Sequence, residues 1–167
     1  DSGIIYGSGT GIKYRGVTLT SRKICYFRVQ LFDVKNVTYL SRIDHFEMGL
    51  LDKSDWEGAR WISKTTNADI EEAPYLRNVF TLRQNEGNST IKRARIYISG
   101  LGYSRVMLNG QLVTRNILEP VFTRYDKRVL YNTYNVTEQI IRLEEQYGKE
   151  KKMVIGMIIG NGWYNHL

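Results

Sequence analysis

Cysteine is nearly absent: Cys25 is the only one in 167 residues. No intramolecular disulfide and no thiolate metal cluster can form, and cysteine usage leaves the redox compartment open. Histidine is as sparse, with His45 and His166 alone, and neither has a companion at metal-ligand spacing. No H-E-x-x-H centre and no Ser-His-Asp arrangement can be argued from them, so each reads as a surface or packing residue. No apolar run approaches the roughly 20 residues of a membrane span, because Met153 to Ile159 is short and broken by Gly156. No membrane partner is expected. Internal repeats and low-complexity tracts are missing too. Asp1-Ser2-Gly3 carries neither an initiator methionine nor a signal pattern and reads as an internal segment or a processed product.

Long blocks of one-signed charge are also lacking, although the 24 Lys and Arg outnumber the 17 Asp and Glu to give a net charge of +7. A basic surface attracts phosphate through counterion release. The densest group here, Lys149-Glu150-Lys151-Lys152, falls where a loop or strand edge is expected, and lysine at an edge guards against strand-to-strand aggregation. Nucleic acid is not the expected partner. A basic nucleic-acid-binding β domain stays as an alternative, which requires cations gathered on one face beside stacking aromatics. Gly7-Ser8-Gly9-Thr10-Gly11 lacks the Lys-Ser/Thr ending and following helix of a phosphate cradle and reads as a hairpin tip.

What is present is strand after strand. Asn109-Gly110 supplies the two positive-φ positions of a type I′ turn between Val106-Met107-Leu108 and Gln111-Leu112-Val113. Ala94, Ile96 and Ile98 alternate with Arg95, Tyr97 and Ser99, which predicts one buried face and one wet face. Further strands are expected over 75–82, 93–99, 103–108, 129–136 and 153–160, with a short helix over 137–147 capped by Thr137. Upstream, Ile24 to Phe32 reads as one strong strand with Cys25, Phe27, Val29 and Leu31 on one side, followed by a turn and a short extended piece at Val34 to Tyr39. The apolar texture breaks at Glu47 to Leu50, where a domain junction is expected. The fold class is therefore all-β: an antiparallel sandwich, preceded by part of a smaller fibronectin- or immunoglobulin-like sandwich whose first strands lie outside this sequence.

At this point the residues resemble a known family. Asp1-Ser2-Gly3, Tyr14-Arg15-Gly16, Tyr26-Phe27-Arg28-Val29 and Phe46-Glu47-Met48-Gly49-Leu50-Leu51 are followed by Asp55-Trp56-Glu57-Gly58-Ala59-Arg60-Trp61-Ile62 and Pro74-Tyr75-Leu76-Arg77. Then come Gly100-Leu101-Gly102-Tyr103, Leu108-Asn109-Gly110, Leu118-Glu119-Pro120, Thr123-Arg124-Tyr125 and Gly160-Asn161-Gly162-Trp163-Tyr164. In this order and spacing the chain resembles the amino-terminal accessory region of the bacterial α-L-rhamnosidases of glycoside hydrolase family 78. The resemblance implies that residues 1–47 end a fibronectin-like domain and that 48–167 form most of a jelly-roll sandwich. It also implies that hydrolysis belongs to an (α/α)₆ barrel downstream, where an acid and a base on opposite faces of the sugar invert the anomeric centre. No catalytic residue is expected in this segment. Its partners would be rhamnose-containing glycans, met through the parent enzyme, and the barrel on which it packs. A bacterial parent could be cytoplasmic or exported.

Sugar binding is the site chemistry left to weigh, because sandwiches of this class hold apolar sugar faces on aromatic rings and satisfy hydroxyls with Asp, Asn and Arg. Trp56, set beside Asp52, Asp55 and Glu57, is the expected exposed platform, whereas Trp61 and Trp163 read as packing positions. Those acids themselves read as solvated or as caps for backbone amides. Some relatives bind rhamnose through calcium held by oxygen ligands. The resemblance places Asn67 and Asp69 in one candidate loop and Asn116 in another, with Arg115 beside it in an unfavourable place for a cation. Trp56, Asp69 and Asn116 are thus the sugar-binding candidates, with calcium conceivable and no metal site assigned. A stand-alone carbohydrate-binding module is the alternative function.

Overall fold

The computed structural model describes residues 3–7, 11–64, 73–82, 90–147 and 152–164. The chain divides into two compact units, Asp1–Arg60 and Trp61–Leu167. It is an all-β antiparallel structure with one α-helix.

In the first unit, β1 (Ile24–Phe27) pairs with β4 (Asp44–Glu47), while β2 (Gln30–Phe32) pairs with β3 (Thr38–Leu40) in a separate two-stranded sheet. The single strand expected over 24–32 is therefore two. The break falls at Arg28-Val29, where Val29 N donates to Ser41 Oγ at 2.9 Å and Ser41 N donates to Val29 O at 2.8 Å. One apolar run thus serves two sheets, because the chain changes partners midway. Phe46 packs edge-on against Tyr14 and tilted against Phe27, at centroid distances of 6.1 and 6.2 Å.

The second unit is built on a four-stranded sheet in the order β5 (Tyr75–Thr81), β10 (Lys152–Gly160), β7 (Tyr103–Leu108), β8 (Gln111–Leu112). Its nine-residue central strand takes hydrogen bonds on both edges. Asn109 and Gly110 have φ of 47° and 79°, as a two-residue primed turn requires. This turn is further anchored on the central strand, since Asn109 N donates to Val154 O and Val154 N to Asn109 Oδ1. A second sheet pairs β6 (Arg95–Ile98) with β9 (Asn132–Asn135), and α1 (Thr137–Tyr147) follows directly. Ile140 N donates to Val136 O, so Val136 occupies the cap position and Thr137 is already helical. The expected cap at Thr137 is thus displaced by one residue. Asn135 Oδ1 accepts the Thr137 amide, and the Thr137 hydroxyl accepts Ala94 N.

The core lies between these layers. Val106 and Leu108 from β7, Met153 and Met157 from β10, Tyr134 and Val136 around β9, and Ile140 and Leu143 from α1 are buried together. Ala94, Ile96 and Ile98 pack against them, as alternation predicts. The opposite face of β6 is not wet: Arg95 and Tyr97 are half-buried. Arg95 donates to Asn135 Oδ1 and Ala94 O, and Tyr97 lies 6.3 Å from the Tyr131 ring. The neighbouring strand and a loop aromatic cover what alternation alone assigns to solvent.

Candidate functional site

Several of the glycine and aromatic motifs converge at one end of the second unit. Gly102 and Gly162, sixty residues apart, have φ of 92° and 50° and sit backbone against backbone. A Cβ on Gly102 would collide with the carbonyl oxygens of Gly160 and Asn161, and one on Gly162 would stand 3.1 Å from Gly102 Cα. Both glycines are thus required by conformation and by space. Tyr125 closes over this junction: its hydroxyl accepts Gly102 N at 3.3 Å, and its ring meets Phe122 and Tyr164 edge-on, each at 5.5 Å. Phe122, Tyr164 and Trp163 remain exposed at this end, which leaves a cluster of aromatic surface.

The adjoining loop is held by Glu119. Its main-chain oxygen accepts Ser104 N at 2.7 Å, and a cis peptide joins it to the buried Pro120. One carboxylate oxygen accepts Asn116 Nδ2 at 2.8 Å and the other accepts the Tyr134 hydroxyl at 3.0 Å. Burial, then the bond to this carboxylate, pushes the Tyr134 phenol up to about 12. Sequence reading passed over this Glu119–Tyr134 pair. The available signal was Tyr134 itself, in step with the inward-facing Val136 two residues on.

Asn116 is exposed in this loop, with its amide nitrogen engaged by Glu119 and its carbonyl oxygen taken by the Arg105 guanidinium at 3.2 Å. Both Glu119 carboxylate oxygens thus hold protein donors. Calcium takes six to eight oxygens, more than the Asn116 side chain and this carboxylate supply by themselves. Among the described residues no group of three His, Cys, Asp or Glu could hold a metal ion. Asn67 and Asp69 lie outside the described residues.

Trp56 belongs to the first unit, at the end of a 3₁₀ turn, Lys53–Trp56. Asp55 fastens that turn: its carboxylate accepts the Ser21 hydroxyl, Asp52 N at 2.8 Å and Leu51 N at 3.2 Å. The Ser21 bond is the main reason its acidity is raised, with the backbone donors adding to it. Arg22 completes the clasp, donating to Asp55 O at 2.6 Å and pairing with Glu57 at 2.9 Å. Of the acids around Trp56, Asp55 thus caps backbone amides while Glu57 forms an exposed ion pair. The tryptophans themselves reverse their expected order. Trp56 is half-buried in the fastened turn, whereas Trp61 is 66% and Trp163 60% exposed. A neighbouring acid signals a turn, and the turn leaves this indole half-buried.

A shallow polar hollow of about 530 Å³ between β8 and α1 is lined by Gln111, Asn135, Gln139 and Arg142 among others. Gln139 donates to Leu108 O and Gln111 O there, and Arg142 pairs with Glu138, so these groups serve helix docking. No helix among the described residues is long and apolar enough to cross a membrane.

Residues 1–52 match the family described as "Rha78A-like, N-terminal immunoglobulin domain", and residues 89–167 match the "Alpha-L-rhamnosidase N-terminal domain". The chain is similar to an α-L-rhamnosidase of Formosa agariphila, 32% identical over 93% of this chain and 17% of that protein. It is also similar to one of an Alteromonas species, 33% identical over 92% of this chain and 16% of that protein. Among solved structures, an α-L-rhamnosidase from Dictyoglumus thermophilum superimposes with a TM-score of 0.75 at 30% identity, covering 98% of this chain and 19% of its own. One from Aspergillus terreus gives 0.73 at 27% identity, over 89% of this chain and 16% of its own. The chain thus spans less than a fifth of the length of each of these relatives.

Proposed function

Because the chain belongs to the α-L-rhamnosidase family, as part of its N-terminal region, we propose that it is the non-catalytic β-sandwich region of a glycosidase that releases terminal L-rhamnose from rhamnosides. Hydrolysis with inversion belongs, on this reading, to a downstream (α/α)₆ barrel. Residues 1–47 close a fibronectin-like sandwich and 48–167 supply most of a jelly roll. The observation that carries the reading is the pairing of two rhamnosidase family matches on one chain that aligns over 93% and 92% of its length with α-L-rhamnosidases of which it spans 17% and 16%. The exposed aromatic end formed by Phe122, Trp163 and Tyr164 supports packing on the rest of the enzyme, since large aromatics dominate such contacts. The test is hydrolysis of an aryl α-L-rhamnoside by this chain alone and by the full gene product. Activity is expected only in the longer protein, and cleavage by the 167 residues alone would overturn the proposal.

A second reading, an independent carbohydrate-binding module, is favoured by the exposed indoles of Trp61 and Trp163. It retains Asp69 and Asn116 of the second unit, and separately Trp56 of the first, as proposed contacts to rhamnose. Titration of the chain with L-rhamnose, with and without calcium, separates it from a purely structural role.

A further inference from the structure

The outer face of the four-stranded sheet, turned away from the core, carries a groove of about 270 Å³ that crosses three strands. It is lined by Tyr75 and Arg77 of β5, Val154 and Gly156 of β10, Met107 of β7 and Gly110 of the turn. Register places Arg77, Gly156 and Met107 in one row across the sheet. Gly156 is the key residue. Mid-strand glycine weakens a strand and marks close approach of a ligand or another backbone. Here φ is not in the left-handed region, and a Cβ would meet only Met107 Cε at 3.9 Å. Neither backbone conformation nor internal crowding requires a glycine, so its missing side chain serves the space outside.

Among the described residues of these strands, the charge on this face has one sign. Arg77, Arg105 and Lys152 lie on it, and β5, β7, β8 and β10 contain no Asp or Glu. Arg105 donates to Asn116 O, whereas the Arg77 side chain has no hydrogen bond or ion pair among the described residues. Beside it stands Tyr75, 78% exposed. A dry apolar partner on this groove would bury the guanidinium unpaired, which is costly. The occupant must bring a carboxylate of its own. The groove is about the size of one sugar ring, with an apolar floor for the C–H face of a pyranose and an aromatic ring at its side.

We propose that this groove binds a uronic-acid residue of a saccharide, its ring over Gly156 between Tyr75 and Met107 and its carboxylate on the Arg77 guanidinium. The glycan reading guides only the choice of a sugar among acids; rhamnoside hydrolysis stands or falls by its own assay. Calorimetric titration of the whole chain with D-galacturonate, D-galactose, acetate and a short oligonucleotide tests it. Saturable binding is expected for the uronate, at least ten-fold weaker for galactose and for acetate. Arg77→Met should abolish it and Arg77→Lys retain part. Gly156→Val, which adds a strand-favouring side chain, should keep the circular-dichroism spectrum and melting point while blocking the sugar. Equal affinity for galactose or acetate, tighter binding of the oligonucleotide, no saturable binding, or undiminished binding by folded Gly156→Val overturns the proposal. So does self-association that Gly156→Val disrupts, which would make the face an interface between copies.

Discussion

Tyr39 and Tyr134 each sit in a short antiparallel strand, yet Tyr39 is 56% exposed and Tyr134 only 7%. The contrast holds for the units around them. In the first, two separate two-stranded sheets leave Phe27, Leu31, Phe32 and Leu40 substantially exposed, and no described residue is fully buried. In the second, a four-stranded sheet, a two-stranded sheet and a helix enclose one core. Alternation and turn chemistry suffice to make strands, and a second layer is what makes an interior.

The sharpest way to break this comparison is truncation on each side of it. Leu108→Ala, at 1% exposure, is expected to cost about 2–5 kcal/mol, whereas the half-exposed Phe27→Ala should cost about 1 kcal/mol or less. Equal shifts in urea midpoints would show that the first unit has an interior after all. Glycines give the next test. Gly102→Ala places a Cβ among backbone atoms at positive φ and should lose about 2 kcal/mol or more, while Gly58→Ala, with φ of 80° and open space, should lose about 1 kcal/mol. Thermal melts of both variants compare the two.

Titration sharpens the contrast further. The fold favours the neutral Tyr134 phenol, so its contribution is complete below pH of about 10 and fades as pH rises toward 12. Ultraviolet absorbance should show one tyrosine ionising last, absent from Tyr134→Phe, which should itself lose about 1 kcal/mol. At the other end of the scale, Asp55 is held below the usual carboxylate range chiefly by the Ser21 hydroxyl. Its contribution is present above the unfolded carboxylate pKa and is lost as pH falls through the lower folded value. Amide exchange at Leu51 and Asp52 should quicken there, in the first unit alone. Smallest is Glu57→Gln, which removes an exposed ion pair with Arg22 and should shift stability by about 0.5 kcal/mol or less in the same melts.

Most strands of the second unit were legible because their signals are local. Alternation around Ile96, the Asn109-Gly110 turn and the helical pattern after Asn135 each place an element within one to three residues. What escaped depends on partners distant in sequence. Nothing near Val29 announces that the chain changes sheets there; Ser41, twelve residues on, decides it. Gly102 and Gly162 look like two independent turns until their backbones are seen in contact. The exposure of the three tryptophans was misjudged for the same reason, since burial is a property of what arrives from elsewhere. Of the candidate sugar contacts, Asn116 was legible as an exposed loop residue, but its bond to Glu119 was not.

The central position of β10 bears on how the second unit comes to be made. On a ribosome, β5 and β7 emerge well before Lys152–Gly160, the segment that must slide between them. Until then each presents a bare edge to the cytosol or translocation machinery, the condition under which nascent β chains mispair. Slow decoding or chaperone capture over residues 82–151 would therefore act on the yield of folded protein while leaving the finished molecule unchanged.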